Sequence, residues 1–402
     1  MSRGNMNNPS FKDMMNEVVA YGSCCECGTC VLVCPHNVID YINSKPQQVA
    51  KKSAPFDYCG ISEGIGCDVC AQACPRLYPR EHHLRDAVFG ADKPYQANFG
   101  VYRRIVVARC NDSGILKLCQ DGGVVTALLV WALRKGIIDG AVVSALDGNT
   151  RCNPVPKVVT TEEEIIAAGG SWYTYVPNNL ALADAMERGL KKVAFVGVPC
   201  QVTPLRKLET VDPGFLDNGR KKEKHISQQR KFLKGFSEIV RLNLGLFCTE
   251  VFSYEGLMVG KIEGEMGIPL EDVRKFNVKG EVLIYKKDGD VAKVSLKESQ
   301  EYVRPECHHC ADFSAELADI SFGGAGLMGW TIVVIRTPRG EEAFSQLESE
   351  GLLEIHPIEE YERNRKIVVR LTRKQRERVP IPPGKDESFI REPASPAPSL
   401  QK

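Results

Sequence analysis

Between Cys24 and Cys34 the chain carries five cysteines in eleven residues and then a proline, Pro35. Cys24, Cys27, Cys30 and Cys34 fall in the order CxxCxxCxxxCP, the bacterial run that holds cubane iron–sulfur clusters. Three thiolates at such intervals can wrap one corner of a cluster while the fourth points away on the start of a short helix. That fourth cysteine needs a second cluster, and the sequence supplies a second run, Cys59, Cys67, Cys70 and Cys74, closed by Pro75 and stretched only in its first interval. The last cysteine of each run crosses over, so Cys24, Cys27, Cys30 and Cys74 are assigned to one cluster and Cys59, Cys67, Cys70 and Cys34 to the other. Zinc knuckles usually set two CxxC pairs farther apart and do not repeat the closing proline, and disulfides need an oxidising compartment. Cys25 is left over and reads as a bystander.

A chain of 402 residues is too long for one such domain and suits two or three, with one sizeable α/β core. The formal net charge of +1 argues against a general nucleic-acid binder. Residues 1–22 lack the uninterrupted apolar stretch of a secretory signal, and the apolar stretch from Val124 to Leu146 is broken by Arg134, Lys135 and Asp139, which excludes a membrane span there. A cytoplasmic location is expected, where sixteen cysteines mean metal ligation or catalysis more often than disulfides.

Five segments follow in order: an arm over 1–20 with an amphipathic piece from Phe11 to Ala20, a two-cluster ferredoxin-like domain over 21–78, a linker over 79–103, an α/β domain over 104–375, and a disordered tail over 376–402. From Arg104 strand and helix signals alternate, as in a sheet covered by helices, and KFNVKG with EVLIYKKDGDVAKVSL reads as a β-meander turning at DGD. A basic stretch between Asp212 and Gly235 (Arg220, Lys221, Lys222, Lys224, Arg230, Lys231 and Lys234) reads first as a solvated face and second as a dock for an anion or an acidic partner.

Two motifs in the α/β domain carry chemistry. Gln120-Asp121-Gly122-Gly123 precedes a helix, where glycines permit close backbone approach and the helix start favours a phosphate; without GxGxxG spacing it implies an anion site or a plain tight turn. Cys200, Cys248, Cys307 and Cys310 follow apolar strands and can meet at one sheet edge, where spacing alone fits a third cubane or a structural zinc equally. Cys110, Cys119 and Cys152 read as small buried hydrophobes.

The ordered set CQDGGVVTALLVWALRKGIIDGAVV, GGSWYTYVPNNL, VAFVGVPCQVTPLRKL, LGLFCTEVFSYEGL, CHHCADFSAELADISFGG and GWTIVVIRT resembles the coenzyme F420 hydrogenase/dehydrogenase beta-subunit family over about residues 100–340. The resemblance implies an α/β (α+β mixed sheet) flavin/F420 domain, FAD, a [4Fe–4S] cluster on Cys200, Cys248, Cys307 and Cys310, and coenzyme F420 as substrate, with three such clusters in all. It implies FAD phosphates on Gly122, Gly123, Val124 and Thr126, with Ser171 and Tyr173 nearby. Lys275, Lys279 and the basic stretch are the candidates for the acidic tail of F420. The N-terminal two-cluster extension is most like that of the beta subunit of F420-dependent formate dehydrogenase. Implied partners are therefore the catalytic subunit of a formate dehydrogenase, a hydrogenase or a heterodisulfide reductase-type complex. The stretched cysteine interval and the basic insertion depart from that pattern. Alternatives from the same reading are an F420H2 dehydrogenase input subunit, a stand-alone reductase, and an iron–sulfur adaptor without F420 chemistry. The mechanism implied is hydride exchange between F420 and FAD, then single electrons through the clusters.

Overall fold

The computed structural model describes residues 9–49, 68–96, 98–210 and 223–391; Cys59, Cys67, Arg220, Lys221 and Lys222 lie outside the described residues. After the first cysteine run, β1 (Ile39–Ile42) and β2 (Lys45–Gln48) pair as a short antiparallel ribbon. The α/β part then lays down β3 (Arg104–Cys110), β4 (Gly140–Ala145), β5 (Val155–Val159), β6 (Val193–Gly197) and β7 (Val240–Leu246). A separate antiparallel meander follows, β8 (Val273–Val278), β9 (Glu281–Lys286) and β10 (Val291–Ser295), as the DGD turn predicts. Finally β11 (Ile320–Gly323), β12 (Thr331–Ile335) and β13 (Leu353–Pro357) return to complete an eight-stranded mixed sheet in the order β13-β3-β12-β11-β7-β6-β4-β5.

Strands β4, β6, β7 and β11 run parallel, and β12 is antiparallel to both β11 and β3. The carboxyl ends of β3, β4, β6, β7 and β11 therefore share one edge, the edge at which open α/β sheets place their ligands. Both faces are covered. The helix Val124–Arg134 is apolar almost all round because it is sandwiched between the sheet and the helices Glu162–Ala167 and Pro338–Ser349. On the other face Val142, Val193, Phe195 and Val240 pack with Leu182, Ala185, Leu205 and Leu208, and with Val33, Val69 and Ala73 from the cysteine-bearing N-terminal part. That part is thus seated on the sheet domain by side chains that leave water completely, at about 1.5–3 kcal/mol for each large aliphatic group.

One buried carboxylate ties these layers together. Asp319, fully buried just before β11, accepts from Arg206 Nη2 at 2.8 Å, Arg339 Nε at 2.7 Å, Thr337 Oγ1 at 2.7 Å and the Asn243 backbone N–H at 2.8 Å. Burial would raise its pKa, but Arg206 and Arg339 outweigh that and hold it at about 2. Its stabilisation is therefore complete above about pH 4 and is lost only as pH falls towards 2. Asp319→Ala leaves Arg206 buried beside Glu209 alone, so denaturant unfolding should show a loss of about 3–5 kcal/mol. The deficit should be equal at pH 6 and pH 8.

Two segment assignments are corrected. The expected linker over 79–103 contains a helix, Glu81–Phe89, whose Leu84 and Val88 sit one turn apart against Val202, Ala315 and Leu317. The tail expected to be disordered from 376 is packed as far as Arg391. Val379 and Ile390 bury against Ala311, Lys385 pairs with Glu17 at 3.1 Å, and His82 Nε2 lies 2.8 Å from the Ser388 carbonyl oxygen.

Candidate functional site

The glycine turn lies at the carboxyl edge of β3. A Cβ on Gly122 would stand 2.6 Å from the Ala108 carbonyl oxygen and 2.9 Å from the Thr331 nitrogen, both backbone atoms, so only glycine fits. Gly123 has φ of 68° and begins the helix Val124–Arg134 without a side-chain cap, which leaves its first-turn N–H groups to another acceptor. Cys110 and Cys119, expected as buried hydrophobes, shape this turn: the Cys110 N–H donates to Gly122 O at 2.7 Å, and Cys119 Sγ lies 3.0 Å from Asp121 O. Thr126 is buried on the first helical turn.

The meander covers the turn. Lys279 pairs with Asp121 at 3.0 Å, both almost buried, and also donates to Leu327 O. Lys279 is therefore committed to the protein, which corrects its candidacy for the acidic tail. Lys275 Nζ donates to Cys119 O at 3.3 Å and stands 5.3 Å from the Tyr285 ring centre, half-buried beside the turn. Burial raises the Asp121 pKa, opposed by Lys279, and Asp121 Oδ1, Asn277 Oδ1 and Thr174 Oγ1 are buried without a hydrogen-bond partner.

The segment holding Ser171 and Tyr173 joins the turn to the cysteines. Gln120 Nε2 donates to the Tyr173 hydroxyl, and the Phe252 N–H donates to Tyr173 O at 2.8 Å. Tyr173 adopts φ of 58°, and burial, then Asp121, raises its pKa, with Cys248 a lesser neighbour. Ser171 is half-buried.

Cys200 opens the helix Pro199–Thr210 directly after β6, and Cys248 follows β7 with its N–H on Phe313 O at 2.9 Å. Cys307 and Cys310 bracket a tight turn in which the Cys310 N–H donates to Cys307 O at 3.3 Å. Electrostatic influence runs through Cys310: Cys248 is influenced by Cys307 and Cys310, Cys307 by Cys310, and Cys200 by Cys310. Burial raises the pKa of Cys248, Cys307 and Cys310, so several thiolates here require a compensating cation. Among the described residues no three His, Cys, Asp or Glu side chains converge closely enough for one ion.

In the N-terminal part Cys24, Cys30 and Cys74 are mutual electrostatic neighbours, and Cys24 is raised to about 12 by burial and by Cys25. Cys70 is buried in the same apolar cluster, which Cys34 borders, and Thr29 Oγ1 donates to Cys27 Sγ at 3.3 Å. No disulfide joins any two described cysteines. Cys25 is not a bystander in position: its Sγ is 4.0 Å from Cys200 O and it contacts both the Cys200 and Cys27 thiols. Local pattern holds no sign of the groups along this seam. Lys207, fully buried, donates to Cys74 O at 2.6 Å and Leu77 O at 3.1 Å, while Lys45 bridges Glu26 and Glu306 at 2.5 and 2.6 Å.

These residues fit the groups their pattern implies. The Gly122 cradle and the uncapped helix start suit the phosphate of a ring compound, to which Thr174 Oγ1 is an unpartnered donor nearby, and two sets of free, buried or half-buried thiols suit iron–sulfur clusters. The architecture is that of a mixed-sheet α/β redox protein with a cysteine-bearing N-terminal part seated on it. The chain belongs to the coenzyme F420 hydrogenase/dehydrogenase beta-subunit family: residues 105–183 match the amino-terminal portion that defines this family and residues 190–361 its carboxyl-terminal portion. It is 39% identical over 283 residues to coenzyme F420 hydrogenase subunit beta of Methanococcus voltae, covering 70% of this chain and 93% of that one. Its likeness to the coenzyme F420-dependent sulfite reductase of Methanocaldococcus jannaschii is 33% over 367 residues, 90% of this chain and 52% of that protein. In the solved F420-reducing [NiFe] hydrogenase complex from Methanosarcina barkeri, one chain superposes with a TM-score of 0.63 at 35% identity, covering 71% of this chain and 92% of that chain. Among the described residues no helix is long and apolar enough to cross a membrane.

Proposed function

We propose that the chain is the F420-handling subunit of an oxidoreductase, exchanging electrons between coenzyme F420 and a catalytic partner subunit, with a formate dehydrogenase-type partner favoured. The reading is supported by the glycine turn after β3 and by Cys200 and Cys248 after β6 and β7, which stand at the same carboxyl edge of the sheet, with Tyr173 hydrogen-bonded to Gln120 of the turn. FAD held there would supply the exchange between a two-electron deazaflavin and one-electron carriers, and [4Fe–4S] clusters on the three cysteine sets would supply the carriers.

The protein's own groups do the holding. First-turn N–H groups of Val124 and Thr126, with Gly122 and Gly123 out of the way, receive phosphate. The Asp121–Lys279 pair fixes the turn against the meander, and Gln120 and Tyr173 fix it against the cysteine loops. Lys275, half-buried at the same place, offers a cation to an anionic substrate. Hydride exchange between the two rings would require no side chain of this chain to act as acid or base.

A hydrogenase-type partner is the second reading, favoured by the 39% identity and the structural likeness. The cysteine-bearing N-terminal part supports a longer relay, since the sulfite reductase match takes in most of the residues before Arg104. The test is anaerobic oxidation of reduced F420 by the full chain, loaded with iron and FAD, with a viologen dye as acceptor. Turnover with F420H2 but not NADPH is expected. A flavin- and iron-replete protein that leaves F420H2 untouched would refute the proposal.

A further inference from the structure

The helix Glu362–Glu377 turns two unlike faces to its surroundings. Its inner face is committed to the sheet domain: Val368 and Thr372 are fully buried, and Asn364 Nδ2 donates to Ala325 O at 3.0 Å. Farther along, Gln375 Nε2 donates to Thr249 O at 3.2 Å, and Arg378, which ends the helix, donates from Nη2 to Cys307 O at 3.2 Å. The helix therefore rests on the residue after Cys248 and on the Cys307 backbone. Its outer surface stands one helix diameter, roughly 10 Å, from those two cysteine loops.

That outer surface is a basic stripe. Arg363, Lys366, Arg370, Arg373 and Lys374 are exposed and recur three and four residues apart, so they share one face. Lys366, Arg370 and Lys374 repel one another at intervals of four, which by itself disfavours the helix. The carboxylates nearby are engaged elsewhere or stand at the far end. Glu362 is taken by Arg365 at 3.5 Å and Lys366 at 3.4 Å, Glu316 by Arg376, and Glu250 by Arg378 at 2.9 Å. Glu359 and Glu360 precede the helix, at the end away from Arg370, Arg373 and Lys374. Among the described residues no carboxylate pairs with Arg363, Arg370, Arg373 or Lys374. A chain with a formal net charge of +1 thus gathers these cations, uncompensated, on one helix face.

We propose that this stripe is an electron port, a docking face for the acidic surface of a small one-electron carrier protein that reaches the core cysteine set directly rather than through the N-terminal runs. Charge selects the partner, because an anionic surface relieves the repulsion along the stripe and is steered towards it. Position selects its chemistry, since a carrier seated there faces the loops of Cys248 and Cys307 across a single helix. The inference rests on the reading of the chain as an F420-handling subunit with cluster ligands in its core, and adds a second way in. With reduced carrier as donor, two carriers give one electron each, and F420 takes the two electrons and two protons from water to become F420H2.

The test uses the full chain, loaded anaerobically with iron and FAD, as wild type, as the charge-reversed Arg370→Glu/Arg373→Glu/Lys374→Glu and as the neutral Arg370→Gln/Arg373→Gln/Lys374→Gln. The probe is a small acidic two-[4Fe–4S] ferredoxin, whose binding is measured by calorimetry at low and high salt. Wild type should bind it at low salt and release it at high salt, the neutral variant should bind more weakly, and the reversed variant at least about tenfold more weakly. F420 reduction by prereduced ferredoxin should fall in step, while reduction by a reduced viologen dye, which needs no dock, keeps the wild-type rate in all three. Ferredoxin binding that is absent in wild type, or unchanged by charge reversal, would overturn the port. Equally tight binding of anionic lipid vesicles or of double-stranded DNA would overturn it too, by marking a surface that answers to charge alone. Should the reversed variant lose the viologen rate as well, its fold is at fault and the neutral variant decides by the same two readouts. Wild type that binds ferredoxin but takes electrons from neither donor refutes the F420-handling reading and the port with it, whereas turnover with viologen but not with ferredoxin refutes the port alone.

Discussion

Replacing Cys200 by serine is expected to remove about four irons per chain and to leave FAD in place, while F420H2-driven dye reduction falls by at least about a hundredfold. Cys200 opens a helix at the carboxyl end of β6, fixed by a strand that is buried throughout, so a neighbouring thiol cannot move in to replace it. Cys25 is the nearest spare thiol, but it is held between Cys27 and Cys200 on a different loop. Serine keeps the volume and loses the ligand, because a hydroxyl gives up its proton far less readily than a thiol. Removing a group that merely orients a ligand costs about 10- to 100-fold in metal affinity, and removing the ligand itself should exceed that. Iron analysis and the viologen assay on one preparation check both halves. Loss of FAD along with the iron would show that the two sites are not separately held.

Gly122→Val is expected to do the reverse, releasing FAD while the iron count stays at the wild-type value. The new side chain has no room, since its Cβ alone would press on the Ala108 carbonyl oxygen and the Thr331 nitrogen, neither of which can rotate away. The turn must shift outward, and with it the Gly122 N–H bond to Thr331 Oγ1 at 3.2 Å and the Cys110 bond to Gly122 O. Overpacking of this kind costs about 1–3 kcal/mol in stability. Flavin retention should suffer more, because displacement of the turn misplaces the helix start as well. Flavin fluorescence after gel filtration, against iron per chain, separates the effects.

Both substitutions fall at places the sequence marks clearly. Cysteine spacing, the paired glycines and the alternation of buried strands with helices are local patterns, and they point to the sheet edge where the turn and the cysteine loops meet. The helix Glu81–Phe89 is hard to see in the sequence because Leu84, Val88 and Phe89 give it a short apolar face near its end, and His82, His83, Arg85 and Asp86 mask the period. The packed tail is hidden for a similar reason: Val379 and Ile390 are isolated among prolines and charges, and their partner Ala311 lies far away in sequence. Arg76 and Lys207 cannot be found from pattern at all. Their partners, Ser23 and Glu81 for one and the carbonyls of Cys74 and Leu77 for the other, are defined only when the N-terminal part seats on the sheet. Lys279 misleads in the opposite sense, since a lysine near an anion site says nothing of an aspartate 158 residues away that already claims it.

Under the proposed function, electrons from F420 enter at the glycine-turn edge and leave through cysteine-held iron. The most direct test is an anaerobic titration of the full chain, carrying about one FAD and twelve irons, with F420H2 in the absence of any dye, followed by flavin absorbance and by cluster EPR. Small additions of F420H2 should bleach the flavin and give rise to reduced-cluster signals, which Cys200→Ser cuts off while the flavin still bleaches. Flavin that stays oxidised under excess F420H2, or cluster signals that appear undiminished in Cys200→Ser, would contradict this route.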